Sequence, residues 1–239
     1  MRIRALQQRS HKAKGGHLNR YRAPIITIDG PAGAGKSSSA RALAERIGLG
    51  YLDSGALYRA VAWKMRDRKI DLACQADVEA ACAGLQVTWS EAGVCVDGAL
   101  ASERLRDPEV TFASAVVAAY PGVRRVLIGT QREMAWRGVV AEGRDIGTVV
   151  FPDADVKFYL DAAPEVRAAR RAKEMHRTDT DTLLREIMAR DDRDRHRTVA
   201  PLLPAADAIV IDSTPLTLSD VIDRMMAEIG ERGLLDRIR

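Results

Sequence analysis

Gly30-Pro31-Ala32-Gly33-Ala34-Gly35-Lys36-Ser37 fits the spacing G-x-x-x-x-G-K-[ST] of a phosphate-binding loop. Glycines let the backbone close around phosphate oxygens, loop N–H groups and a helix N-terminus attract those oxygens, and Lys36 adds a full positive charge. Ser37 or Ser38 stands where a hydroxyl reaches a magnesium ion. The motif points to a nucleoside triphosphate and is silent about its use. The chain has no Asn-Lys-x-Asp guanine reader and no Asp-x-x-Gly switch, so something other than a hydrolytic switch must complete the site.

Three further segments offer groups for a second ligand. In Leu52-Asp53-Ser54-Gly55-Ala56-Leu57-Tyr58-Arg59, a helix begun by Asp53 or Ser54 sets Ser54, Tyr58 and Arg59 one turn apart, two hydroxyls and a guanidinium together. The same spacing also suits a capped amphipathic helix whose Arg59 meets solvent. Glu142-Gly143-Arg144-Asp145-Ile146-Gly147-Thr148 follows an apolar run ending at Ala141, which puts Arg144 and Asp145 at a carboxyl end of the sheet, where ligands of open α/β folds bind. In Arg190-Asp191-Asp192-Arg193-Asp194-Arg195-His196-Arg197, helical spacing gathers Arg190, Asp194 and Arg197 on one face, and Arg193 with Arg197, before Pro201. Alternating signs also suit a solvated, salt-bridged helix. Against this stands the charge balance: two phosphate-bearing ligands in one cleft would bring about six negative charges, more than one lysine and one Mg²⁺ balance, and arginines from a mobile segment would close the deficit.

The elements that must hold these residues are legible in the hydrophobic pattern. Ile25-Ile26-Thr27-Ile28 is a buried strand feeding the glycine loop, and residues 37–47 place Ala40, Leu43, Ala44 and Ile47 at helical spacing with Gly48 as the stop. Further short apolar runs at 138–141, 156–160 and 209–211 alternate with helical patterns, which predicts a parallel sheet covered on both faces. A helix from Leu218 carries the stripe Leu218, Val221, Ile222, Met225, Met226 and Ile229, with a capping box in Thr217-Leu218-Ser219-Asp220. Residues 71–112 differ: Leu85 to Trp89 and Val94 to Val96 predict an antiparallel hairpin across Ser90-Glu91-Ala92-Gly93, part of a small inserted subdomain.

A chain of 239 residues, 46% hydrophobic and 29% charged, suits one globular core with insertions rather than disorder. The net charge of +4 resides at the start: residues 1–22 hold seven basic groups and no acid, leaving 30 basic against 33 acidic groups elsewhere. This segment reads as a disordered extension, with weak salt-sensitive attraction to polyanions as its alternative, and no apolar run makes it a secretory signal. Cys74, Cys82 and Cys95 form no CxxC pair, which excludes a disulfide framework or zinc knuckle and suits a reducing cytosol. On these residues alone two rivals stay open: a kinase for another small acceptor such as UMP, AMP or shikimate, and an RNA-associated protein regulated by ATP.

Taken together, the phosphate loop, Leu52 to Arg59, Glu142-Gly143-Arg144-Asp145-Ile146-Gly147-Thr148-Val149-Val150-Phe151-Pro152-Asp153-Ala154 and Arg190 to Leu202 resemble the bacterial cytidylate kinase family over residues 24–229. The resemblance implies an α/β P-loop kinase core with a parallel five-stranded sheet over residues 23–65 and 133–239, an inserted monophosphate-binding subdomain at 66–132, and a short arginine-rich lid at 173–197. It implies a cytoplasmic monomer that moves the γ-phosphoryl group of ATP to CMP or dCMP with Mg²⁺, away from membranes and nucleic acid. Gly30 to Ser38 would hold ATP, with Ser37 on the metal. By the same likeness Ser54, Tyr58 and Arg59 hold the CMP side, Arg144 and Arg197 grip its phosphate, Arg190 and Asp194 meet the pentose, and Arg124 and Asp145 read the cytosine edge. Lys36, Arg144, Arg190 and Arg197 would carry the transfer. One departure shows: the family's serine before Pro-x-Val-Arg is Ala115 here, with Ser114 one residue earlier.

Overall fold

The computed structural model describes residues 23–90, 93–101 and 104–238; the basic segment 1–22 and the hairpin residues Glu91 and Ala92 lie outside them. β1 (Ile25–Asp29) is buried along its whole length, as a β-branched strand covered on both faces must be. The glycine loop leads into α1 (Lys36–Ile47), which ends at Gly48 in the left-handed conformation, φ 72°. β2 (Gly50–Asp53) runs directly into α2 (Ser54–Asp67), and Asp53 caps it by accepting from the Ala56 N–H at 2.9 Å.

The insertion comprises α3 (Gln75–Ala83), β3 (Val87–Ser90), β4 (Gly93–Val96), β5 (Ala99–Leu100), α4 (Pro108–Val117) and α5 (Pro121–Met134). The expected hairpin is present as an antiparallel pair, starting at Val87 rather than Leu85. A third strand joins it through Cys95 opposite Leu100 and Val96 opposite Ala99; two residues are too few to show alternation in the sequence. β6 (Val139–Gly143), β7 (Val156–Asp161), α6 (Pro164–Met175), α7 (Thr180–His196), β8 (Ile209–Asp212) and α8 (Leu218–Glu231) complete the core.

The other five strands form one parallel sheet in the order β2-β6-β1-β7-β8. One face packs on α1 and α8, where Leu43, Phe158, Leu160 and Met225 are fully enclosed. The Thr217–Asp220 capping box forms as the sequence predicts, while Leu218 in the stripe stays exposed at the helix start. The other face continues without a break through α2 into the insertion, joining Leu52, Leu57, Val61 and Met65 to Val96, Val117 and Leu127. The insertion is therefore anchored by apolar burial to the strands that carry the phosphate loop. All three cysteines are free thiols, and no single described helix is long and apolar enough to cross a membrane.

The register sets the geometry of the functional edge. Asp29 lies opposite Gly143, and Glu142 is flanked by Ile28 on one side and Asp53 on the other, so three carboxylates gather at the carboxyl ends of adjacent strands. Gly30 then turns with φ +146°, and a Cβ there would stand 2.0 Å from the Leu160 carbonyl oxygen. Gly30→Ala should therefore cost roughly 3 kcal/mol, about 10 °C in Tm. A thermal melt checks this; an unchanged Tm would show that the turn tolerates a side chain.

Candidate active site

The phosphate loop presents an uncapped helix to anions. Gly35, at φ 94°, precedes α1, no side chain caps the first turn, and no acidic residue lies within it. The free N–H groups and the positive end of the helix dipole are thus left for a ligand. Lys36 is buried and donates from Nζ to the Pro31 carbonyl at 2.7 Å. Burial first, and Arg144 second, bring its pKa down to about 7, so in the free protein its charge is held in check and a nearby phosphate would restore it.

Ser37 donates to Glu142 Oε1 at 2.6 Å, and the Tyr51 hydroxyl donates to the same oxygen at 3.3 Å. Burial, followed by the neighbouring Asp53, pushes the Glu142 carboxyl above its ordinary range. A cation at this point would relieve both effects. Among the described residues no three His, Cys, Asp or Glu side chains cluster to enclose a metal. The pair of hard oxygen donors from Ser37 and Glu142 instead fits Mg²⁺, which keeps several waters and takes few protein ligands beside substrate phosphates. Ser38 is exposed one residue further along α1.

A chain of charges runs from this point across the cleft. Arg144 Nε donates to Asp194 at 2.9 Å, Arg197 lies 3.9 Å from Asp194 and 3.4 Å from Asp145, and Asp145 is paired with Arg124 in a buried bridge. The Arg124 guanidinium stands 5.8 Å from the Tyr58 ring centre. Burial alone would raise the Asp194 carboxyl, but Arg144 and Arg190 outweigh it and hold it below the ordinary range. Burial, then Arg144, brings Arg190 down to about 10, and burial lowers Arg197 as well. The guanidinium groups are thus crowded and partly desolvated, a condition that a dianionic phosphate relieves.

Ser54 and Tyr58 are buried at the start of α2, whereas Arg59 folds back onto Asp53 at 2.9 Å. Arg193, placed beside Arg197 by helical spacing, instead points to solvent and bonds the Ala189 carbonyl. Ser114 does not stand in for the missing serine at Ala115: its hydroxyl is buried and donates to the Thr111 carbonyl at 2.7 Å within α4.

Two participants escaped the sequence reading. The apolar run ends at Ala141 and leaves Glu142 just beyond it, yet β6 continues to Gly143 and brings Glu142 to Ser37. Asp29 accepts from the N–H groups of Ile146 and Gly147 at 2.8 and 2.7 Å, fixing the wide π-type turn Ile146–Val150 that follows Asp145. The available signal was the acidic residue ending an apolar strand immediately before the glycine loop. Burial raises Asp29 from 3.8 to about 6, against the pull of those two N–H groups, with Asp145 adding to the rise and Lys36 opposing it.

The folded chain thus holds a proton on Asp29 between about pH 4 and pH 6 that the unfolded chain has released. Its stability contribution is present below pH 4 and falls as pH rises to 6, by about 3 kcal/mol. Asp29→Asn should flatten this part of the stability profile. Urea unfolding across the range measures it, and a variant with the wild-type slope would refute the assignment.

The cytidylate kinase family model matches residues 26–231. The chain is 42% identical over 215 residues to the cytidylate kinase of Desulfitobacterium hafniense (strain Y51), covering 87% of this chain and 93% of that one. It is 46% identical to the cytidylate kinase of Enterobacter sp. (strain 638), over 85% of this chain and 94% of the relative. It is also 47% identical to the bifunctional pantoate ligase/cytidylate kinase of Synechococcus sp. (strain WH7803), where the match takes in 44% of the longer protein. A family model spanning most of the chain and relatives this similar over nearly their whole length show that the chain belongs to the cytidylate kinase family.

Proposed function

We propose that the protein transfers the γ-phosphoryl group of ATP to the phosphate of CMP or dCMP, yielding ADP and the nucleoside diphosphate. The observation that carries this reading is the convergence of two anion-binding systems at one edge. The uncapped end of α1 with Lys36 serves the donor, and Arg144, Arg190 and Arg197 serve the acceptor.

The loop from Gly30 to Gly35 and the first residues of α1, including Ser38, cradle the triphosphate. Lys36 leaves the Pro31 carbonyl and takes a phosphate oxygen. Ser37, supported by Glu142, is the residue that would hold Mg²⁺, which when bound neutralises phosphate charge and orients the oxygens. The monophosphate takes Arg144 and Arg197 from their carboxylate partners, while Arg190 and Asp194 meet its pentose and Ser54, Tyr58 and Arg59 flank it. Asp145 accepts from the cytosine amino group and Arg124 donates to the base acceptors. A phosphate monoester is already an adequate nucleophile, so alignment and neutralisation carry the rate and no strong base is needed. Residues 66–132 serve as the acceptor-binding insertion and 173–197 as the lid, whose closure keeps water from the γ-phosphorus. The same reading places the enzyme in the cytoplasm as a monomer using free nucleotides, and the three free thiols suit that compartment.

A coupled ADP-release assay with ATP, Mg²⁺ and a panel of monophosphates tests the reading. ADP release should depend on CMP or dCMP; release driven instead by AMP or shikimate, or independent of any acceptor, would overturn it.

A further inference from the structure

Arg167 and Asp191 form an ion pair more fully enclosed than any in the acceptor pocket, with side chains 3% and 2% exposed. Neither residue is among the groups proposed to meet a substrate directly, yet both grip the same residue of the phosphate loop, Ala32. Arg167 Nη1 donates to the Ala32 carbonyl at 3.0 Å and to Asp191 at 2.5 Å, and its Nε donates to the Ala162 carbonyl at 2.8 Å. From the other side, the Ala32 N–H donates to Asp191 Oδ1 at 3.4 Å. Gly33 seats against the same residue, since a Cβ there would meet Arg167 Cβ and its carbonyl oxygen at 3.0 Å.

The pair thus belongs to two elements at once. Arg167 is on α6 beside the end of β7, and Asp191 is on α7. Asp191, Asp194 and Arg197 follow one another at three-residue intervals and tie the end of α7 to two segments, the phosphate loop and the Arg144-Asp145 pair that follows β6. Asp191 goes to the donor loop, Asp194 to Arg144, and Arg197 to Asp145. The C-terminal turns of α7, held to the phosphate loop through Asp191 and to the acceptor-binding groups through Asp194 and Arg197, are a physical link between two sites, of the kind energetic coupling requires.

We propose that Arg167 and Asp191 are positioning residues that hold the Pro31–Gly33 turn in its donor-binding shape and join it through α7 to the acceptor pocket, so that acceptor binding firms the donor loop. This rests on the reading of the two pockets given above. Ligand at Arg144, Asp194 and Arg197 restrains α7, α7 restrains Asp191, and Asp191 restrains the Ala32 amide. A pair with a purely local role would affect stability without transmitting anything between ligands.

Hydrogen exchange in the full-length wild-type protein reads the link directly. CMP alone, with no ATP present, should slow exchange of the Ala32 amide by about tenfold. Unchanged Ala32 exchange at saturating CMP would overturn the proposal. The variant R167M/D191L removes both charges together and avoids leaving one buried alone, the more damaging change. Folded by circular dichroism, it should bind CMP within about twofold of wild type, lose the Ala32 response, and raise KM for ATP about tenfold. Wild-type ATP affinity with the Ala32 response intact in this variant would also overturn the proposal. If the variant does not fold, the wild-type exchange result decides. Failure of the wild type to bind ATP at all would count against the donor site, whereas the CMP effect on Ala32 would still judge the link.

Discussion

Lys36→Ala should lower kcat by about a thousandfold or more while the protein still folds. In the free protein the ammonium group is buried and its pKa is brought down to about 7. Losing it therefore costs the folded state little, because the fold already works against that charge. The transition state differs. Two nucleotides bring about six negative charges to one edge, and the γ-phosphoryl oxygens must be met by a cation placed in advance. Steady-state assays at saturating ATP and CMP, beside a thermal melt, separate the two effects. Near-normal turnover in a folded Lys36→Ala protein would remove Lys36 from the mechanism.

The second large effect concerns base choice. Asp145 is a buried carboxylate between Arg124 and Arg197. It can accept from the amino group of cytosine and repels the carbonyl that uracil carries at the same position. Asp145→Asn removes the repulsion and weakens the acceptor, and it also leaves Arg124 with a neutral partner. The expected result is a loss of about a hundredfold in kcat/KM for CMP and a narrowing of the CMP-to-UMP ratio. An unchanged ratio would show that Asp145 does not read the base. A wild-type enzyme phosphorylating CMP and UMP equally well would show that nothing at this position selects.

Much of this arrangement is written in local sequence. The glycine loop, the strand before it, the α1 helix with its Gly48 stop, and the capped α8 helix depend on residues within a few positions of one another, and the structure has them where periodicity and capping place them. What stayed hidden is set by pairing between distant segments. Ser37 meets Glu142 because β6 lies beside β1, and Asp29 meets the Ile146 and Gly147 amides for the same reason. No spacing rule relates those positions.

The segment from Arg190 to Arg197 shows the limit most clearly. Its alternating signs fit a solvated helix, and Arg193 and Arg195 do face outward. Asp191, Asp194 and Arg197 turn inward because Arg167, Arg144 and Asp145 wait on other elements. Only the tertiary fold says which member of such a run is buried. Family likeness supplied roles for Asp194 and Arg197, while Asp191 and Arg167 emerged from the geometry alone.

In the proposed reaction, donor and acceptor phosphates meet tip to tip between Lys36 and the arginines of the cleft. A compound in which adenosine and cytidine are joined through a polyphosphate bridge tests it in a single binding experiment. One molecule should bind per chain, more tightly than either nucleotide, and compete with both ATP and CMP. Competition with only one of them, or two molecules bound per chain, would contradict it.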